Sequence, residues 1–575
     1  MLPLRFLAIA CLCACAGPHV PPAGIPRPDV PLVVQWPAGT RFTSRLSKLV
    51  PDEPKWRAVA VQWREALRQS VAFELHEGED EALPALELHV DAIAGTWTAS
   101  LFVQGKERIL AGDRRAGTGN QDVADAVDQL AFAARLALGE PAPAPLPIAR
   151  GTSLDANVLL AVADASELLR LGGFQAATRL LTEARRRDGG SPFVLEGLAA
   201  LALLRNDAAA AERLAREALA YEGRLLPTVQ HRLARTLLLA RASLAAADAA
   251  SFDQELLRLA ATAQRERPHD PQPVLTQAIA HNFRGEFAAA RPLLTDLQRR
   301  LPDQPIAGYH LGWACLGAGD AKAALPPFAD AAVRLPIGWT LLPRAIALHE
   351  AGAHQELCDL LQQLRNDDAQ EVVGLRLDVL RMQAAHALLR ADVALARDHL
   401  LATLQWLAKH PLQLAQRGGE LAEQGLLLVR LGGGDALPPL LAAIQEQHAG
   451  TAVADVCTFL QGLHSVHQDG RRRTDLETRL GPAGETPFAA LLQAYAHERN
   501  GEIADMQQTL LRAAQLSSSP LTKALLARGL RAAGRGAEAD TLLSTLRTEM
   551  RTLALRQRCR HPLLGPELAF VFVEH

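Results

Sequence analysis

Tyr309-His310-Leu311-Gly312-Trp313-Ala314-Cys315-Leu316-Gly317-Ala318-Gly319-Asp320 holds an apolar helical run, a small residue within it and a Gly-Asp pair that stops it. Gly312 lets a second helix come close where a larger side chain would hold it off. Gly319 supplies a turn conformation at low steric cost. Ala324, Phe328 and Ala331 follow at helical spacing, and Pro336 prevents that second helix from continuing. Moving back 34 residues from Gly319 finds Gly285-Glu286-Phe287 with Ala290, Leu294 and Leu297 behind it and Pro302 as the stop. Leu168-Leu169-Arg170-Leu171-Gly172-Gly173-Phe174, then Ala177, Leu181 and Ala184, is answered 34 residues on by Asn206-Asp207, Ala211, Ala215 and Ala218. Weaker turns stand at Gly352, Asp392, Asp435, Gly501 and Gly534. A fixed period of this length marks stacked supersecondary units.

These residues resemble the tetratricopeptide-repeat (TPR) family, whose unit is two antiparallel helices in about 34 residues. Leu311-Gly312 stands for the family's Leu-Gly pair and Gly319-Asp320 for its turn. The resemblance implies a mainly α fold, an α-solenoid of TPR-like helical hairpins over residues 155–553, preceded by a small α+β domain. Some ten to twelve repeats fit that length, with lengthened helices over 227–271 and an irregular register over 365–484. It also implies a concave groove lined by the first helices of successive repeats. The matching positions are Leu275, Ile279 and Asn282, then Tyr309 and Trp313, then Leu342 and His349, with Trp339 near the start of that last helix. Such a groove takes a protein or peptide partner and needs no cofactor. Aromatic residues concentrate binding energy in such pockets, and equally they fill helix interfaces.

Composition agrees. The chain has 575 residues, room for three or four domain equivalents, and is 49% hydrophobic but only 4% aromatic. A core built from Ala and Leu is the economy of packed helices and argues against an all-β fold. The formal net charge of -3 leaves no cationic excess for displacing counterions, so nucleic acid is not an expected partner.

Arg5, an apolar run over 6–14 and small residues after it have the pattern of a bacterial secretory signal, expected over 1–16 and too short to span a bilayer. Leu12-Cys13-Ala14-Cys15 resembles a lipoprotein lipobox, which implies lipidation at Cys15 and, with Ala16 following, a body in the periplasm held at the outer membrane. Ala14-Cys15-Ala16 also fits ordinary cleavage before Gly17, which leaves a soluble periplasmic or secreted protein. Residues 17–31 hold six prolines and read as a tether; 139–154 is a second Pro-rich linker. Between them, 32–138 reads as a small α+β domain with an antiparallel sheet: a short β-rich run at 31–36, a helix over 55–70, and an extended stretch at 71–75. A strand alternating at Leu86, Leu88 and Val90 comes next, then strands over 96–103 and 108–110 and a helix over 123–138 capped by Asn120. Residues 554–575, including the β-like run 568–573, form an extension or cap.

Chemical motifs are scarce. His349-Glu350-Ala351-Gly352-Ala353-His354 resembles HExxH with one residue too many; on one unbroken helix the two rings would stand about 140° apart. His464 and His467 share a helical face without a further ligand. No phosphate-binding glycine loop or nucleophile elbow occurs. Arg185, Arg186 and Arg187, like Arg471, Arg472 and Arg473, read as solvated helix ends. Cys315, Cys358, Cys457 and Cys559 lie far apart, without CxxC, and read as buried apolar residues whose pairing stays open. The expected function is non-enzymatic: a protein-binding scaffold of the cell envelope. The alternatives are an envelope regulator acting on a peptidoglycan-synthesis or secretion enzyme through the α+β domain, and an enzyme whose site no motif reveals.

Overall fold

The computed structural model describes residues 40–556 except 47–53, 77–81, 92–95, 104–105, 116–119, 141–151, 171–172, 206, 245–248, 303, 336–337, 367–374, 412–413, 415–417, 470–479 and 483–484. The expected signal with Cys15, the expected tether, residues 31–36, Arg471, Arg472 and Arg473, Cys559 and the run 568–573 lie outside the described residues.

The amino-terminal module comprises β1 (Arg41–Leu46), α1 (Pro54–Arg68), β2 (Glu74–Leu75), β3 (Ala85–Asp91), β4 (Thr96–Val103), β5 (Lys106–Arg115) and α2 (Asn120–Ala137). Its sheet runs β2-β1-β3-β4-β5. The antiparallel expectation holds for β3 with β4 and for β4 with β5, but β1 lies parallel to both β2 and β3, so the sheet is mixed. Parallel pairing needs a crossover, and α1 provides it. Leu86, Leu88 and Val90 are buried as their alternation predicts, and the core closes with Phe42, Trp63 and Leu67.

The helices that follow are α3 (Ala156–Arg170), α4 (Phe174–Arg187), α5 (Pro192–Leu204), α6 (Ala208–Leu219), α7 (Pro227–Leu244), α8 (Ala249–Glu266), α9 (Pro271–Phe283), α10 (Phe287–Arg300), α11 (Pro305–Gly317) and α12 (Ala321–Arg334). After them come α13 (Gly338–Glu350), α14 (His354–Asn366), α15 (Leu375–Leu389), α16 (Val393–Ala408), α17 (Gly418–Arg430), α18 (Leu437–Gln447) and α19 (Ala452–Asp469). The last four are α20 (Pro487–Asn500), α21 (Ile503–Leu516), α22 (Pro520–Ala532) and α23 (Gly536–Arg556). Consecutive helices pack as hairpins from α3/α4 to α15/α16, and again at α20/α21 and α22/α23. Between those blocks α17 and α18 each pack on α19 instead, inside the stretch of irregular register.

Local chemistry sets the boundaries. First helices open on a capping side chain followed by proline, as at Ser191-Pro192, Asp270-Pro271, Thr486-Pro487 and Ser519-Pro520. Several second helices open on an Asp cap: Asp207, Asp320 and Asp392 each accept from the backbone N–H three residues on, at 3.0–3.1 Å. Gly319 precedes one cap at φ +85°, and the equivalent Ala391 is forced to φ +56°. Gly312 meets the flank of Phe328, where any Cβ would lie 2.5 Å from the ring. Trp313 and Phe328 pack edge to face at 5.9 Å.

Two hydrophobic cores meet near α15. One runs from the amino-terminal module through α14 to Met382, the other from Leu377 to Met550. The stack then returns on itself, because α23 lies against α9 and α11. Thr548 and Thr552 approach Gly285. The Arg551 guanidinium donates to the Gly317 carbonyl at 3.4 Å and to Glu350 Oε2 at 2.7 Å.

Candidate functional site

A cavity of about 690 Å³ lies where the first helices of five successive hairpins face inward. Phe193, Leu203, Leu239, Ile279, Phe283 and Tyr309 from α5, α7, α9 and α11 form its apolar wall, with Val162 from α3. Val61, Arg64, Glu65 and Arg68 of α1 close one side, and Leu555 of α23 contributes to another. The amino-terminal module is therefore part of the site. Polar bonds fasten it there: Gln69 Nε2 donates to Thr228 Oγ1 at 2.7 Å, Arg300 meets Glu74 at 2.8 Å, and Arg57 meets Asp164 at 2.6 Å.

Charge on the lining is uneven, with Arg64, Arg68 and Arg235 against Glu65 and Glu167. Arg68 is engaged with Glu65. Arg235 donates to Gln272 Oε1 at 2.9 Å, a neutral acceptor. Burial and the neighbouring charge of Arg232 pull its pKa down to about 10, while Glu196 and Asp270 oppose them. Arg232 itself is matched by Glu196 at 3.2 Å. Burial, then the charges of Arg235, Arg267 and Arg232, hold the His231 imidazole neutral with its pKa lowered to about 3. The wall thus presents apolar surface beside a guanidinium whose charge no carboxylate hydrogen-bonds among the described residues. That arrangement suits an acidic group next to an apolar one.

Of the residues expected in the groove, Ile279 and Tyr309 line the cavity. Trp313 does not: it is 0% exposed and packed between Phe328 and Tyr309, so its ring is helix-interface core. Leu275 and Leu342 are likewise buried, and buried Asn282 donates from Nδ2 to the His310 carbonyl at 2.9 Å. Trp339 lies in α13, its side chain outside the described residues. Phe283, Arg235 and His310 were not anticipated. Phe283 was within reach, one turn beyond Ile279 on the same helical face.

His349 ends α13 and His354 begins α14, on either side of a chain reversal at Gly352, φ +72°. The rings are therefore not on one helix. His386 of α15 places Nε2 3.1 Å from Cys358 Sγ, and its ring centroid lies 5.6 Å from that of His354. His349 is pushed down to about 4 by burial and by the nearby His386 and His354. Elsewhere, His467 Nδ1 meets Tyr495 Oη at 2.8 Å. Arg185 pairs with Glu217 at 2.7 Å and Arg186 with Glu183 at 3.2 Å, as solvated helix ends do. Cys315 and Cys457 are buried, Cys358 half-buried, and these three are free thiols. Among the described residues no helix is long and apolar enough to cross a membrane.

The class of protein this geometry defines is an α-solenoid of TPR-like helical hairpins carrying an amino-terminal α+β domain. No protein-family model matches the sequence, and no curated protein matches it. Solved structures to which it is similar include TTC0263, a thermophilic TPR protein in Thermus thermophilus, at 20% identity over 34% of this chain and 98% of that one, TM-score 0.28. PilW, a type IV pilus biogenesis factor, is 17% identical over 36% and 93%, TM-score 0.26; yeast Tom70 is 10% identical over 68% and 91%, TM-score 0.29.

Proposed function

We propose that this chain is a non-enzymatic binding scaffold that seats a segment of a protein partner, an apolar side chain beside an acidic one, in the cavity between α1 and the first helices of the solenoid. The observation that carries this reading is Arg235, set in an apolar wall and, among the described residues, hydrogen-bonded to a neutral acceptor and to no carboxylate. Nearest-neighbour packing holds the wall rigid, so the partner meets a preorganised surface and loses less ordering entropy on docking. The cavity's 690 Å³ suits one anchoring segment. In this reading the chain works in the bacterial envelope, lipidated at Cys15 and tethered by the Pro-rich segment. The contacts of the α+β domain with α3, α7 and α10 favour one combined binding unit over a regulator that acts through that domain alone.

Two experiments test it. Full-length protein and its Arg235→Glu variant are used as baits on detergent-solubilised envelope, with Arg186→Glu as a surface control. Capture should be lost only in the first variant, and equal capture by all three would refute the reading. Intact mass of the exported protein should show a diacylglyceryl group on Cys15; a mature chain starting at Gly17 would remove the lipid anchor.

A further inference from the structure

We infer that His349, His354, Cys358 and His386 form a binding site for one late first-row transition metal ion, zinc or copper in chemical class. The reversal at Gly352 brings the end of α13 back beside the start of α14. His354 and Cys358 stand one helical turn apart on α14 and so share a face. His386 reaches that face from α15, with its Nε2 3.1 Å from Cys358 Sγ and its ring 5.6 Å from the His354 ring. His349 and His386 are both more than nine-tenths buried, and each keeps a buried Nδ1 without a hydrogen-bond partner. A buried ring nitrogen in that condition is costly unless something bonds it.

The donor set selects the ion. Three imidazoles and a thiolate favour zinc or copper over magnesium or calcium, which want oxygen. With bonds of about 2.3 Å to sulfur and 2.0–2.1 Å to nitrogen, a tetrahedral ion sets sulfur and nitrogen about 3.6 Å apart. The Cys358–His386 pair therefore opens by roughly 0.5 Å to admit it. His354 is exposed, so its ring can turn inward, and it marks the way in. On binding, the Cys358 thiol gives its proton to solvent and the imidazoles bind neutral. Glu350 is occupied by Arg551 and does not join the set. The three carriers α13, α14 and α15 lie where the two hydrophobic cores meet, so the ion would staple that junction. His497, Glu502 and Asp505, whose ligand atoms lie within 4.8 Å of one another at the α20–α21 turn, are a competing group that could hold an ion, but one without sulfur and with both carboxylates exposed.

The test uses the full chain, purified without a histidine tag, stripped with chelator and titrated with cobalt(II). One equivalent should bind, with a thiolate-to-cobalt charge-transfer band in the near ultraviolet and a rise in melting temperature. Cys358→Ser should abolish the band. His386→Gln, with helicity checked by circular dichroism, should weaken binding by at least the roughly 10- to 100-fold that losing a supporting outer-shell group costs. His497→Gln should leave the thiolate band unchanged, because that group has no sulfur. Absence of binding, or a band that survives Cys358→Ser, would overturn the assignment.

Discussion

Gly312→Ala tests the nesting of the hairpins at its tightest point. An added Cβ would sit 2.5 Å from Cδ1 and Cε1 of Phe328, whereas ordinary contact begins near 3.4 Å, so the ring would have to retreat by roughly 1 Å. It has nowhere to go. Phe328 is fully buried, edge to face with Trp313 at 5.9 Å and with Tyr309 at 6.3 Å. Overpacking of this kind costs about 1–3 kcal/mol, and a clash with a hemmed-in ring belongs near the top of that range. Replacing Gly by Ala within a helix returns about 1 kcal/mol. The net expectation is a loss of about 1–2 kcal/mol. Repeat arrays need not unfold in one step, so the measurement is hydrogen exchange of the α11 and α12 amides together with urea unfolding. Gly536→Ala, with nothing within 4 Å of the new Cβ, should be neutral or stabilising. Unchanged protection in Gly312→Ala, or no recovery when Phe328→Leu is added, would refute the packing argument.

Other consequences can be measured alongside. Ala391 stands in a left-handed turn at φ +56°, so Ala391→Gly should raise stability by roughly 0.5–1 kcal/mol, seen as a higher urea midpoint. Arg551→Ala should speed hydrogen exchange in α23 by the equivalent of about 1–2 kcal/mol while α3 to α6 keep their protection; a uniform loss would mean that α23 is not a separate closing contact. His231 has its pKa lowered to about 3 from an ordinary value of 6.5, so below pH 6.5 the unfolded chain takes up a proton that the folded one refuses. Stability should fall as pH drops from about 6.5 to about 3, and His231→Gln should flatten that slope. An unaltered slope would mean that other groups govern the acid limb.

The hairpins were legible because their signals are local. Gly319-Asp320 turns and caps within two residues, and Ser191-Pro192 starts a helix by the same short-range chemistry. What depends on distant partners was not. Each first helix has one face toward the cavity and another toward its neighbours, and the sequence alone does not say which one Trp313 takes. β1 has apolar side chains only at Phe42 and Leu46, too few to display an alternation, and its parallel partners come from elsewhere in the chain. Nothing in α23 announces that Arg551 will reach Glu350, 201 residues away in sequence. The excess residue between His349 and His354 argues against a shared ligand only on an unbroken helix, and the break at Gly352 removes that premise.

The cavity as a docking site is tested most directly by crosslinking in cells. A photoreactive residue replaces Ser243, which is exposed and lines the cavity, or Val333 on the outer face of α12, which is 79% exposed. A discrete adduct from position 243 that disappears with Arg235→Glu, and none from 333, is the predicted result. Adducts of equal yield from both positions, or one from 243 that ignores the charge reversal, would contradict it.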